Sequence, residues 1–158
     1  MNKRIVLDKI TAQLAAELEL LTQTALATHA EATDEENKAE DKYDTRGLEA
    51  SYLAIGQSKH AEETALALQQ FQALVLRDFA ASEPVSLGAL VRLEGTTKNY
   101  YFMGPRAGGT EIQHDGHDVL VITPQSPLGH QLVGKHQGEK VQLELGGKRS
   151  EFLVAKVS

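Results

Sequence analysis

The sequence predicts a helical first half folded as an antiparallel hairpin, followed by a small α+β domain. Three observations predict it. The first half is rich in Ala, Leu, Glu and Gln, with apolar residues at steps of three and four. Pro84 stops that pattern. Beyond it the chain becomes a series of short β-like runs separated by glycine turns.

From Leu7 to about Ala30 there is no Gly or Pro, and Ile10, Leu14, Leu18, Leu21 and Ala25 make one apolar stripe. A second helix is expected from about Leu48 to Phe79. Its stripe begins with Leu48, Tyr52 and Ile55 and continues through Ala65, Leu68, Val75 and Phe79. Gly56 within it costs up to ~1 kcal/mol relative to Ala. Two amphipathic helices in succession bury their stripes most cheaply by folding back on each other. The hairpin is therefore expected over residues 1–80, with its reversal at about 31–46, and residues 81–86 as a linker.

The domain at 87–158 is expected to hold strands near Leu87–Glu94, Asn99–Gly104, Val119–Thr123, Val141–Leu145 and Glu151–Val157. Gly108-Gly109 and Asp115-Gly116 mark turns, and Gly146-Gly147 closes the last hairpin. Between the strands, Pro127 to about Val133 suits one short helix, with Ser126 as N-cap, Pro127 in the first turn and Gly134 as C-cap.

Composition removes several kinds of function. The chain has 158 residues, no Cys and no Trp, and its aromatic content is 5%. Thiol catalysis, disulfides and cysteine-based zinc sites are excluded, and a large aromatic-lined cavity is not expected. No apolar run approaches the ~18 residues of a membrane span, and Met1–Lys9 lacks the apolar stretch of a signal peptide. A cytoplasmic location is the expectation.

The net charge is −6, and its placement is informative. Residues 31–44 hold seven acids and two bases, a charge of −5, whereas the rest holds 15 acids and 14 bases, a charge of −1. Such a segment repels a phosphate backbone, so free DNA or RNA is a poor partner. A cationic protein surface or a metal ion fits better. At ~1.5 Å per residue an arm of about thirty residues reaches roughly 45 Å. The hairpin thus carries its negative charge on a stalk; a solvated turn with acidic capping residues is the plainer alternative.

The run Ser126-Pro127-Leu128-Gly129-His130-Gln131-Leu132-Val133-Gly134-Lys135-His136-Gln137-Gly138-Glu139-Lys140-Val141, with the later Gly-Gly hairpin and the strand Phe152–Val157, resembles the C-terminal domain of the Gre transcript cleavage factors. The match covers about 87–158 in order and spacing. The resemblance implies an antiparallel coiled coil followed by an FKBP-like α+β domain. It also implies a partner, bacterial RNA polymerase. The globular domain would dock at the rim of the secondary channel, here through Ser126, Pro127, Leu128, Gly129 and Lys135. The coiled coil would enter the channel, and its tip acids would help hold a second Mg²⁺ at the polymerase's own active site. Glu40, Asp41 and Asp44 are the tip acids, with Asp41 and Asp44 as metal ligands in the polymerase complex alone. Mg²⁺ keeps several waters and needs only one or two carboxylates, and two-metal hydrolysis uses it to activate and orient water. The chain itself would be no enzyme, would bind no cofactor in isolation and would be a monomer.

The tip departs from the family. Typical members have Asp, two residues, Glu-Asn, then Glu-Tyr. Here Asp41 and Asp44 keep an acid-x-x-acid spacing, which shares one helical face, but Thr45 stands at the Asn and Gly47-Leu48 at Glu-Tyr. Aligning Tyr52 with the family's Tyr puts Leu48 at the second acid instead. A channel-binding regulator without cleavage activity, competing with Gre factors, is therefore the alternative.

Other signals are weaker. His114-Asp115-Gly116-His117-Asp118 reads as a turn rather than a metal site, and His29, His60, His130 and His136 as surface residues. Ser126 lacks the context of a serine nucleophile. Gly104–Gly109 lacks the ending of a phosphate loop. Lys135, Lys140, Lys148 and Arg149 read as solvated charge. A prolyl isomerase would need an aromatic pocket, yet Tyr100, Tyr101 and Phe102 are adjacent and cannot all face it. A coiled-coil adaptor without a polymerase role is a fourth alternative.

Overall fold

The computed structural model describes residues 1–33, 46–145 and 147–158. It contains helices α1 (Lys3–Thr33), α2 (Arg46–Gln72) and α3 (Pro127–Leu132). Its strands are β1 (Leu90–Glu94), β2 (Lys98–Met103), β3 (Glu111–His114), β4 (His117–Ile122), β5 (Lys140–Leu145) and β6 (Lys148–Val157). A helical region thus precedes a mixed six-stranded sheet, an α+β arrangement. The described residues form two compact units, Ala12–Leu68, and Met1–Thr11 with Gln69–Ser158.

Asn2 starts α1: its side-chain oxygen accepts from the Arg4 N–H at 3.0 Å, and its carbonyl accepts from Val6. The expected stripe is the inward face. Ile10, Leu14 and Ala25 are buried, and Leu18 and Leu21 partly so. In the helical unit Glu17 of α1 stands 3.7 Å from His60 of α2, while His29 shares a groove with Ser51, Ala54 and Ser58. A higher residue number on α1 meets a lower one on α2, so the two run antiparallel there.

The inward face of α2 differs from the expected stripe. Ala54, Thr64, Ala67 and Phe71 are buried and Gln57 and Ala61 partly so, whereas Tyr52 and Ile55 are 68% and 66% exposed. The inward residues also step by three and four, but most are small. Small side chains leave room for a neighbouring helix at close range, which a search for large apolar residues overlooks. Gly56 is exposed, and a Cβ added to it meets nothing within 4 Å. Gly56→Ala is therefore expected to raise stability by roughly 0.5–1 kcal/mol, read as a higher urea midpoint. A loss of stability would show that the helix needs glycine's backbone freedom at this position.

Helix α2 also ends at Gln72, before the expected Phe79. Leu74 N–H turns back to the Phe71 carbonyl at 3.2 Å in a tightened last turn. The extended chain that follows leaves Val75 outside and delivers Phe79 to the sheet core. The Arg77 guanidinium lies 4.0 Å from the centre of the Phe79 ring and the Lys3 ammonium 4.8 Å.

The sheet order is β3-β4-β2-β1-β6-β5, antiparallel throughout except for the parallel β2–β4 pair. On one face Val91, Leu93, Tyr101, Met103, Phe152 and Val154 pack with Leu132 of α3 and with Phe79 and Val85. Phe102 sits instead against Phe71, ring centres 6.2 Å apart. Adjacent aromatics of β2 thus alternate in direction. Asp115-Gly116 is the two-residue turn of the β3–β4 hairpin, with φ of 54° and 72° at its two positions. Leu145 pairs with Lys148 across the β5–β6 turn, of which Gly146 lies outside the described residues.

Candidate functional site

The candidate docking segment begins at Thr123, just after β4. The Thr123 carbonyl accepts from the Ser126 hydroxyl at 2.8 Å and from the Ser126 N–H at 3.0 Å. The Ser126 oxygen in turn accepts from the Gly129 N–H at 3.1 Å, as the N-cap of α3. Pro127 occupies the first turn, where its missing N–H has no cost. Leu132 is fully buried and anchors the helix to the sheet core.

Gly129 is where this segment is tightest. A Cβ built on it falls 1.8 Å from the Thr123 oxygen and 2.9 Å from Ser126 Oγ. The glycine lets α3 lie directly on the end of β4. In consequence Pro127 stands exposed, with Leu128 half-buried against the core. Both border a groove of about 450 Å³, shared with Leu120, Gln131, Leu143 and Glu144.

Lys135 closes the segment through its backbone. Its carbonyl accepts from Val85 N–H at 2.7 Å, and Gly134 N–H donates to the Val85 carbonyl at 2.9 Å. Its side chain is only partly exposed. Next to it, the Glu139 carboxylate accepts the His136 backbone N–H and lies 3.3 Å from His136 Nδ1. The backbone hydrogen bond, then the His136 side chain and the Lys135 charge, hold Glu139 below its ordinary value of 4.5. A carboxyl lowered in the folded state stabilises fully above its unfolded value, and that contribution drains away as pH falls through the lowered one. Glu139→Gln is thus expected to flatten the loss of thermal stability between about pH 5 and pH 3 and to change its slope little near neutrality. An unaltered acid slope would contradict it.

All five expected docking residues therefore lie on one continuous stretch. Ser126 and Gly129 shape it from within, Lys135 ties it down, Pro127 is exposed, and Leu128 borders the groove while packing on the core. Sequence reasoning missed Thr123, Gln131, Leu143 and Glu144. Thr123 had a local signal, a hydroxyl residue three before Ser-Pro. Leu143 and Glu144 had none, because they arrive from another strand. The expected tip acids Glu40, Asp41 and Asp44 lie outside the described residues.

Elsewhere, Lys140 pairs with Glu151 at 2.7 Å and Arg149 with Glu144 at 3.8 Å, which accords with solvated, locally neutralised charge. Among the described residues no helix is long and apolar enough to cross a membrane.

No family model matches the chain, and no curated protein matches it. Among solved structures it is similar to that of the transcription factor Gfh1, at 22% identity over 93% of this chain and 92% of that one, with a TM-score of 0.41. It is also similar to GreA factor homolog 1 (Gfh1) of Thermus thermophilus, at 18% identity over 94% of each chain and a TM-score of 0.40. Gfh1 of Thermus aquaticus gives 18% identity over 98% and 92%, again with a TM-score of 0.40. Likeness at this level carries no statement of function.

Proposed function

We propose that the chain is a transcription elongation factor of the Gre type, a cytoplasmic accessory protein that binds bacterial RNA polymerase. Its FKBP-like domain docks on the rim of the secondary channel, and its coiled coil enters. Acids of the tip, among Glu40, Asp41 and Asp44, then assist a Mg²⁺ shared with the polymerase, whose own active site cleaves backtracked RNA. The observation that carries this reading is the 126–135 segment. Its sequence resembles the family's docking region, and Gly129 and Leu132 seat it so that Pro127 and Leu128 are offered to a partner.

A second feature supports the partner. The helical unit exposes Leu20, Leu26, Tyr52, Leu53 and Ile55, each more than half accessible. Large apolar side chains in such number on one small unit suit a surface that a protein covers. The net −5 of residues 31–44 suits a cationic channel or a metal.

The departure of the tip from the family pattern, Thr45 and Gly47-Leu48 in one register, favours a second reading on the same partner. In it the chain occupies the channel without stimulating cleavage and competes with Gre factors.

The docking surface is tested by Pro127→Glu. An acid in the first turn of a helix is favourable to that helix, so the fold is expected to be kept. The same charge placed at a protein interface is expected to lower affinity for core polymerase by about tenfold, measured by titration of labelled chain. Unchanged affinity with unchanged melting would exclude this face as the docking surface.

A further inference from the structure

Beyond the docking groove, the sheet unit holds a second, smaller cavity. Its volume is about 170 Å³, and its polar wall is made by Asp115 and Ser158 together with four strand residues, Arg92, Tyr100, His117 and Lys156. These last four come from four neighbouring strands. Arg92 on β1 is directly opposite Tyr100 on β2 and Lys156 on β6, so the three side chains leave the sheet on one face. The His117 ring of β4 lies on Tyr100, with ring centres 4.7 Å apart. The cationic row is fixed by strand register.

The charges around it are unevenly satisfied. Glu94 Oε1 stands 3.1 Å from Arg92 Nε but off the N–H direction, and Nε is shielded from solvent without a hydrogen bond. The Arg92 side chain is otherwise 36% exposed, so its remaining N–H groups are the donors open to a ligand. Among the described residues no carboxylate lies within ion-pair distance of Lys156. Asp115, an acid in the cavity wall, is 57% exposed and stands 3.4 Å from His114 Nε2, which makes no hydrogen bond, and 4.0 Å from the Met1 amine.

We infer that this cavity binds a small phosphate-bearing anion, with Arg92 and Lys156 as its charged donors and Tyr100 and His117 as its aromatic wall. A guanidinium fork matches the oxygens of a phosphate, and the ammonium beside it supplies the second charge. The volume lies below the ~300 Å³ at which drug-sized ligands are held, so the occupant is inorganic phosphate or a compact phosphate monoester.

The test is a titration of the ¹⁵N-labelled chain with inorganic phosphate, and separately with glycerol phosphate and acetate, at ionic strength held constant with chloride. Saturable amide shifts confined to the neighbourhood of Arg92, Tyr100, His117 and Lys156 are expected with phosphate. Arg92→Gln and Lys156→Gln should each weaken them by about tenfold. Tighter binding of glycerol phosphate than of inorganic phosphate would assign the site to an ester, and the reverse order to the free ion. Lys156 is exposed, so Lys156→Gln decides the matter if Arg92→Gln fails to fold. Linear shifts spread over the surface, acetate binding as tight as phosphate, or variants that bind like wild type would overturn the inference.

Discussion

Gly129→Ala is expected to destabilise the chain by about 3 kcal/mol, a large effect for one methyl group. The added Cβ would meet the Thr123 carbonyl oxygen at 1.8 Å and its carbon at 2.7 Å, and both are backbone atoms with nowhere to go. Relief requires α3 to lift from the end of β4. That lift breaks the Ser126–Thr123 and Gly129–Ser126 hydrogen bonds and draws Leu132 out of the core. Urea unfolding followed by circular dichroism measures it. The midpoint should fall well below that of wild type, and polymerase affinity should fall with it because Pro127 and Leu128 move. A midpoint within the error of wild type would mean that α3 does not rest on the glycine. Gly56→Ala, where space is open, is the matched substitution expected to go the other way.

Alanine at the metal-holding tip acid is expected to slow RNA cleavage in backtracked polymerase complexes by roughly ten- to a hundredfold. A tip that recruits Mg²⁺ with one or two carboxylates has no reserve ligand, and the attacking water then loses the ion that activates it. Asp41→Ala and Asp44→Ala are compared with wild type on end-labelled RNA. Binding to polymerase is expected to change far less than cleavage, since the proposed docking segment, 126–135, lies in the other domain. Loss of cleavage in one variant identifies the metal-holding acid. Cleavage at the wild-type rate in both would remove these acids from the mechanism. A wild-type chain that leaves RNA intact yet blocks an authentic Gre factor would establish the competitor reading.

The elements that were legible in the sequence share a property: their signal is local. The stripe of α1, the Ser-Pro start of α3, the alternation in β5 and the Asp-Gly turn can each be read within a few residues. What escaped depended on neighbours distant in sequence. Strand β3, Glu111–His114, has one apolar residue, Ile112, and becomes a strand because β4 pairs with it. The inward face of α2 went unseen because Ala54, Ala61, Thr64 and Ala67 are small, while Tyr52, Leu53 and Ile55 are large and face outward. The end of α2 was misplaced because Phe79 continues the helical spacing, yet it is buried in the sheet core. At the candidate site the cap and the proline could be read directly. The need for glycine at 129 could not, because it arises only when the chain folds back on the Thr123 carbonyl.

The most direct test of polymerase binding through the secondary channel is displacement of a labelled Gre factor from core RNA polymerase by the unlabelled chain. Complete, saturable displacement at one chain per polymerase is expected, weakened by Pro127→Glu. A chain that leaves the bound Gre factor in place at all concentrations, while fully folded, would contradict it.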